Sequence, residues 1–119
     1  MREILFKAKR WSDGKWVYGD LNHLQDSVII HWYNNGCRVA DDVDPSTVCQ
    51  YTGLKDKNGK RIFEGDNVYD PRENSIYTVE WNENNAIFQM AHDWRRRSVE
   101  TAYYCEIIGN IYDGEGDND

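Results

Sequence analysis

The residues best suited to act on a ligand are Trp94 and the three arginines that follow it, Arg95, Arg96 and Arg97. A guanidinium grips phosphate with a planar fork of donors, and an indole offers a face on which a base can stack. The run is therefore a candidate nucleic-acid contact. Lys57 and Lys60, with Lys55 and Arg61 beside them, would extend it if the two loops met. Asp93 and Glu100 flank the arginines, so the same residues also fit a solvated surface or an ion-pairing edge at a subunit interface.

Other reactive residue types are not gathered into a site. His23, His31 and His92 lack the i, i+4 spacing that would set two imidazoles on one helix face for a metal. His31 lies inside the apolar run "SVIIHWY" and reads as a packed, hydrogen-bonded histidine. Asp41, Asp42 and Asp44 are clustered as hard cations require, but the loop lacks the glycine and closing glutamate of a calcium loop. It reads as a solvated turn before Pro45. Cys49 sits in an expected strand with no base beside it and reads as a buried, inert thiol. No catalytic, metal-binding or cofactor-binding residue is assigned, no cofactor is expected, and the chain is read as non-enzymatic.

The glycine-rich stretch "QYTGLKDKNGKRIFEGDNV", residues 50–68, invites comparison with a phosphate loop. That loop needs four residues between its glycines and a hydroxyl residue after the lysine. Gly53 and Gly59 are separated by five, and Lys60 is followed by Arg61. The stretch instead predicts two turns. Asn58-Gly59 forms a hairpin tip at which glycine takes positive φ without a Cβ clash. Gly65 reverses the chain, and Asp66 accepts a hydrogen bond from a nearby backbone N–H. Gly53, Asn58, Gly59, Gly65 and Asp66 are thus read as structural.

The elements that must position these residues are short β-runs between turn residues: 3–6, 15–21, 27–33, 37–40, 46–52, 66–70, 75–81, 86–90 and 103–112. Asn35-Gly36 suits a type I′ hairpin turn, and Gly109 marks a bulge or bend. Segment 93–104 fits either a short helix capped by Asp93 or a polar loop. The fold class is mainly β, a small barrel or sandwich.

Composition limits the partners. Aromatic residues make up 13 % of the 119, with five Trp and eight Tyr, which demands a folded chain. Net charge is −7, and the end "DGEGDND", residues 113–119, carries four acids and no base, which leaves −3 for the rest. That balance gives no general attraction to nucleic acid. The end is expected to be a disordered acidic tail. Three cysteines without a CxxC pair fit a reducing compartment, and no window reaches the ~18 apolar residues of a membrane span. A soluble, cytoplasmic protein with no membrane partner is expected. Trp11, Trp16, Tyr18, Trp32, Tyr33, Trp81 and Trp94 exceed what a small core can bury, so an aromatic interface is expected.

The stretch "VDPSTVCQYTGLKDKNGKRIFEGDNV" (43–68), with "CEIIGNIY" (105–112), "MREILFKAKR" (1–10) and "KWVYGDL" (15–21), closely resembles the YopX family of phage and prophage proteins. The resemblance runs in order from Met1 to Tyr112. It implies a β-rich N-terminal part over 1–52, an SH3-like barrel with a lead-in hairpin over 53–112, and a bacterial or bacteriophage source. It implies no reaction. Cys49 stands where family members often have glycine, and the end lacks an "NPEL"-like sequence. The expectation is a phage or prophage accessory protein of the host cytoplasm. It would act through protein–protein contacts as a homo-oligomer, with a phage or host protein as partner. The alternative is a small barrel that binds single-stranded nucleic acid.

Overall fold

The computed structural model describes residues 3–113. Of the segment read as an acidic tail, only Asp113 falls among them. The chain divides into two units between Tyr51 and Thr52.

The first unit is an antiparallel sheet of β1 (Phe6–Lys9), β2 (Trp16–His23), β3 (Val28–Asn34), β4 (Cys37–Asp42) and the start of β5 (Cys49–Lys55). Their order is β4-β3-β2-β1-β5. The first half of β2 pairs with β1 and the second half with β3. The exchange happens at Gly19, where an added Cβ would lie 2.2 Å from the carbonyl oxygen of His31. Only glycine permits that approach. Asn35 and Gly36, at φ 52° and 81°, make the two-residue turn between β3 and β4 that their types predict. Ala8, Val17, Ile30 and Val43 form the buried core, with Phe6, Leu21, Trp32 and Val48 packed around it.

Two strands of the first unit start three residues later than the sequence reading. The first strand is FKAK, not EILF. Its alternation is carried by Phe6 and Ala8, and Lys7 and Lys9 lay their chains along the opposite face, Lys7 Nζ 4.5 Å and Lys9 Nζ 5.5 Å from the Trp16 ring centre. Strand β5 starts at Cys49 because Pro45–Thr47 form a 3-10 turn. Asp44 caps that turn, accepting from Ser46 N–H at 3.0 Å.

The second unit contains the end of β5, then β6 (Arg61–Phe63), β7 (Asp66–Asp70), β8 (Ser75–Asn82), β9 (Ile87–His92), β10 (Arg95–Ser98) and β11 (Glu106–Asn110). Its five-stranded antiparallel sheet has the order β10-β9-β8-β7-β11. Ile62, Val68, Tyr77, Val79, Met90, Ala102 and Cys105 are its buried core. The register of β11 against β7 shifts between Ile107 and Gly109, which is the bulge that Gly109 marked.

The fold is mainly β, in two antiparallel sheets. Neither sheet closes into a barrel among the described residues: β10 and β11 are the free edges of the second one. The short β10 ends at Ser98, and the chain then spends six residues in a 3-10 segment, Val99–Tyr104, instead of continuing a ladder. Segment 93–104 is therefore not one helix capped by Asp93, nor a loop throughout: an edge strand fills its first half and a short 3-10 helix capped by Ser98 its second. Asp93 takes φ 51° in a two-residue turn, and the three arginines pair with β9 as an edge strand. The final strand starts at Glu106, not at residue 103, for the same reason.

Candidate functional site

The aspartates of residues 51–70 are turned inward, while Lys55, Lys57, Lys60 and Arg61 stay exposed. Asp56, Asp66 and Asp70 are each at most 3 % exposed. Asp56 Oδ1 accepts from the N–H groups of Asn58 and Lys60, both at 2.9 Å, and Oδ2 accepts from Ile107 N–H at 3.0 Å. Gly59 closes the tip at φ 79°, and Asn58 stays at negative φ. Asp66 Oδ2 accepts from Phe63 N–H at 2.8 Å, and Oδ1 accepts from Asn110 Nδ2 at 2.9 Å. Gly65, at φ 86°, donates to Val79 O and accepts from Ile111 N–H. Gly53 is at φ 90° within β5. Asp70 accepts from the backbone and side chain of Arg72. Burial alone would raise the Asp70 pKa, but these hydrogen bonds outweigh it and hold the carboxyl below its ordinary value. A carboxylate whose lone pairs are taken by backbone donors organises turns and is poorly placed to move protons.

Trp94 lies in the β9–β10 turn, 85 % exposed. Each of the next three arginines already meets a group of its own unit. Arg95 lies over the Tyr77 ring at 5.8 Å. Arg96 Nε is 3.4 Å from Glu80 Oε2, and its Nη1 donates to Asp93 O at 2.7 Å. Arg97 Nη2 donates to Glu73 Oε1 at 3.0 Å. Glu73 also accepts from the Tyr77 hydroxyl, and these two bonds lower its pKa. On the outer face of the sheet the pairing continues as a polar ladder: Gln89 to Glu80, Asn82 to Gln89, and Thr78 to Asn67. Lys57 and Lys60 do not join this strand. Their turn docks on the start of β11, where Lys57 N–H donates to Cys105 O at 3.0 Å, and β11 is the sheet edge opposite β10.

The remaining reactive residues are dispersed. Asp41 pairs with Arg10 at 3.3 Å, and Asp44 is the cap already described. His92 Nδ1 is 2.8 Å from Ile76 O. His31 departs from the satisfied histidine expected: its buried Nδ1 has no hydrogen-bond partner among the described residues. Its ladder neighbours, Asp20 and Ala40, commit their backbone groups to the sheet. Cys37 is exposed, whereas Cys49 and Cys105 are buried. Burial pushes the Cys105 thiol up to about 11, with the charges of Asp70 and Glu73 adding to the effect. No group of three or more His, Cys, Asp or Glu side chains among the described residues is arranged to hold a metal ion. Within the first unit, a groove of about 430 Å³ is lined by Trp11, His23, Leu24, Asp26, Asp42 and Pro45, among others.

The profile of the family described as "YopX protein" matches residues 5–115. The chain belongs to the YopX family. Among solved structures, this YopX-family chain is similar to the crystal structure of protein EF1440 from Enterococcus faecalis. The two share 21 % identity with a TM-score of 0.59, and 98 % of each chain is covered. At that identity the likeness shows a common fold. No curated protein matches the chain.

Sequence reasoning singled out the Trp94 arginines but missed two features of the YopX-family chain. The groove is assembled from three separate segments and leaves no spacing signal. The stretch 103–112 was read as one strand, yet it joins the end of the 3-10 segment to a shorter strand, and Tyr103, Tyr104, Ile108, Ile111 and Tyr112 are all exposed. The available signal was length: ten residues is long for a strand that also carries a glycine.

Proposed function

We propose that this YopX-family chain is a non-enzymatic interaction module that works through protein–protein contacts as a homo-oligomer. The observation that carries the reading is the apolar surface along its last segment. Tyr103 is 67 % exposed, Tyr104 53 %, Ile108 53 %, Ile111 52 % and Tyr112 38 %. Single exposed apolar residues are ordinary, but a succession of large ones beside a sheet edge marks an interaction surface. Tyrosine is also enriched where proteins meet. The saturated aspartates and the raised pKa of the buried Cys105 thiol support a role without catalysis.

The finer reading of the second unit as SH3-like rests on its connectivity. Four strands meander, a 3-10 segment follows, and the fifth strand returns beside the first. A phage or prophage accessory role in the host cytoplasm follows from the family's usual setting. Among the described residues no helix is long and apolar enough to cross a membrane.

Light-scattering chromatography tests the reading. A mass above 14.0 kDa is expected. It should fall to the monomer in a Tyr103→Ser/Ile108→Ser/Ile111→Ser variant with an unchanged circular dichroism spectrum. A strict monomer at every concentration, with no phage or host protein captured, sinks it.

A second reading is favoured by Trp94, whose indole is almost wholly exposed beside three guanidinium groups: binding of single-stranded nucleic acid. Against it, Arg96 and Arg97 already have carboxylate partners. Titration of labelled single-stranded DNA and RNA at low and moderate salt separates the two. Absence of binding at low salt removes this reading. Binding that survives Arg95→Ala/Arg96→Ala/Arg97→Ala moves the site elsewhere.

A further inference from the structure

We propose that the groove of the first unit receives an arginine or lysine side chain, flanked by an apolar residue, from a partner polypeptide. The proposal is independent of the surface formed by residues 103–112. Three segments build the groove. The turn after β2 supplies Leu24 and Asp26 and is closed by hydrogen bonds between Leu24 and Ser27. The end of β4 supplies Asp42, and the following turn supplies Pro45. The turn after β1 supplies Trp11, whose backbone N–H donates to Asp42 O at 3.1 Å, which holds that residue beside the strand end.

The lining has a consistent chemistry. Trp11 is 61 % exposed and Leu24 50 % exposed, and with Pro45 they give the groove apolar walls. Its carboxylates are those of Asp26 and Asp42. Both residues are exposed, and neither has an ion pair among the described residues. This contrasts with Asp41 next door, which Arg10 neutralises. An indole face beside unpaired carboxylates attracts a cation twice, through the ring quadrupole and through charge-assisted hydrogen bonds. The aliphatic stem of arginine or lysine would lie along Leu24 and Pro45 while its head reaches the acids. The volume suits one or two side chains, being near the lower end of the range for small-molecule pockets, roughly 300–1,000 Å³. The chain's own acidic end, 113–119, has the same sign as the groove and is disfavoured as its occupant.

The test is a titration of the ¹⁵N-labelled full chain with the peptide acetyl-Ala-Leu-Arg-Leu-Ala-amide. Its counterpart, with citrulline replacing arginine, is isosteric and neutral. Trp11→Phe identifies the Trp11 indole resonance. Saturable shifts are expected at that indole and at the amides of residues 24–27, with the citrulline peptide at least tenfold weaker. Asp26→Asn/Asp42→Asn should reduce the arginine affinity to the citrulline level, with the rest of the spectrum unmoved. Equal affinity for both peptides would overturn the proposal, as would shifts centred on Trp94 or no saturable shift at all.

Discussion

At the tightest point of the first unit, a side chain is missing. Gly19 lets β2 leave β1 and cross to β3 because an added methyl would meet His31 O at 2.2 Å. At the tightest points of the second unit, a side chain is buried. Asp56, Asp66 and Asp70 each bring carboxylate oxygens to donors that the turns leave unpaired. Glycine solves a steric problem and ties nothing together. A buried carboxylate also links distant segments: Asp56 reaches Ile107 across 51 positions, and Asp66 reaches Asn110 across 44. The charged motif of residues 51–70 resembles a binding loop because burying a carboxylate and displaying one use the same residue types. Its opposite is the Asp26 and Asp42 pair of the first unit, which faces outward.

The sharpest test of this contrast removes a linking carboxylate. In Asp66→Ala the Phe63 N–H and the Asn110 amide both lose their acceptor in a buried site. At ~1–3 kcal/mol for each stranded donor, urea denaturation should show a loss of about 4 kcal/mol. Asp66→Asn keeps the volume and one acceptor and should lose about half as much. A neutral Asp66→Ala would mean that the carboxylate does not hold the turn. Next in size is Gly19→Ala. Its Cβ meets backbone rather than a flexible side chain, so the strands must separate, at about 3 kcal/mol from the upper end of overpacking costs. If that variant proves to be as stable as the parent, the first unit's crossing is not steric.

Much of the scaffold was legible in the sequence because its signals are local. Asn35-Gly36 and Gly59 sit at turns where positive φ is needed, and the period-2 runs became strands. Two kinds of information were not local. The first is edge pairing: a strand at an edge needs no apolar face, so Arg95–Arg97 could pair with β9 without any hydrophobic pattern. The second is partner choice. The carboxylates that meet Arg96 and Arg97 come from Glu80 on β8 and from Glu73 in the turn before it. Nothing near the arginines announces them. Of the candidate residues, Trp94 stays open, whereas Lys57 and Lys60 are drawn to the other sheet edge by the backbone of their own turn. The groove was invisible because Trp11, Asp26 and Asp42 meet only after folding.

Acid should expose the second unit's dependence on buried charge. The Asp70 carboxyl is held below its unfolded value by Arg72, so its contribution is complete above the unfolded pKa, about 4. It is lost as pH falls through the depressed folded value. The parent should therefore lose urea resistance on going from neutral pH to below that value. Asp70→Asn should be less stable at neutral pH by about 2 kcal/mol, the scale of a hydrogen bond to a charged group, and lose less on acidification. Parallel pH profiles for the two proteins would show that Asp70 is not the titrating link.

The smallest effect is expected where charge is exposed. Arg97 and Glu73 meet at 3.0 Å with side chains 42 % and 30 % exposed. An ion pair in that setting gains little, because water screens it and two long side chains lose freedom. Arg97→Ala should leave stability within the error of urea denaturation, and a double-mutant cycle with Glu73→Gln should return a coupling no larger than that error. The Tyr77 hydroxyl keeps its hydrogen bond to Glu73 in the arginine variant, so the buried ring need not move. A coupling several times larger would place the arginine strand in the same class as the turn aspartates. Inside and outside carboxylates would then no longer divide structure from surface, and Arg97 would be unavailable to any partner. A small coupling leaves Arg97 free to exchange Glu73 for an external anion, which the nucleic-acid titration would then detect.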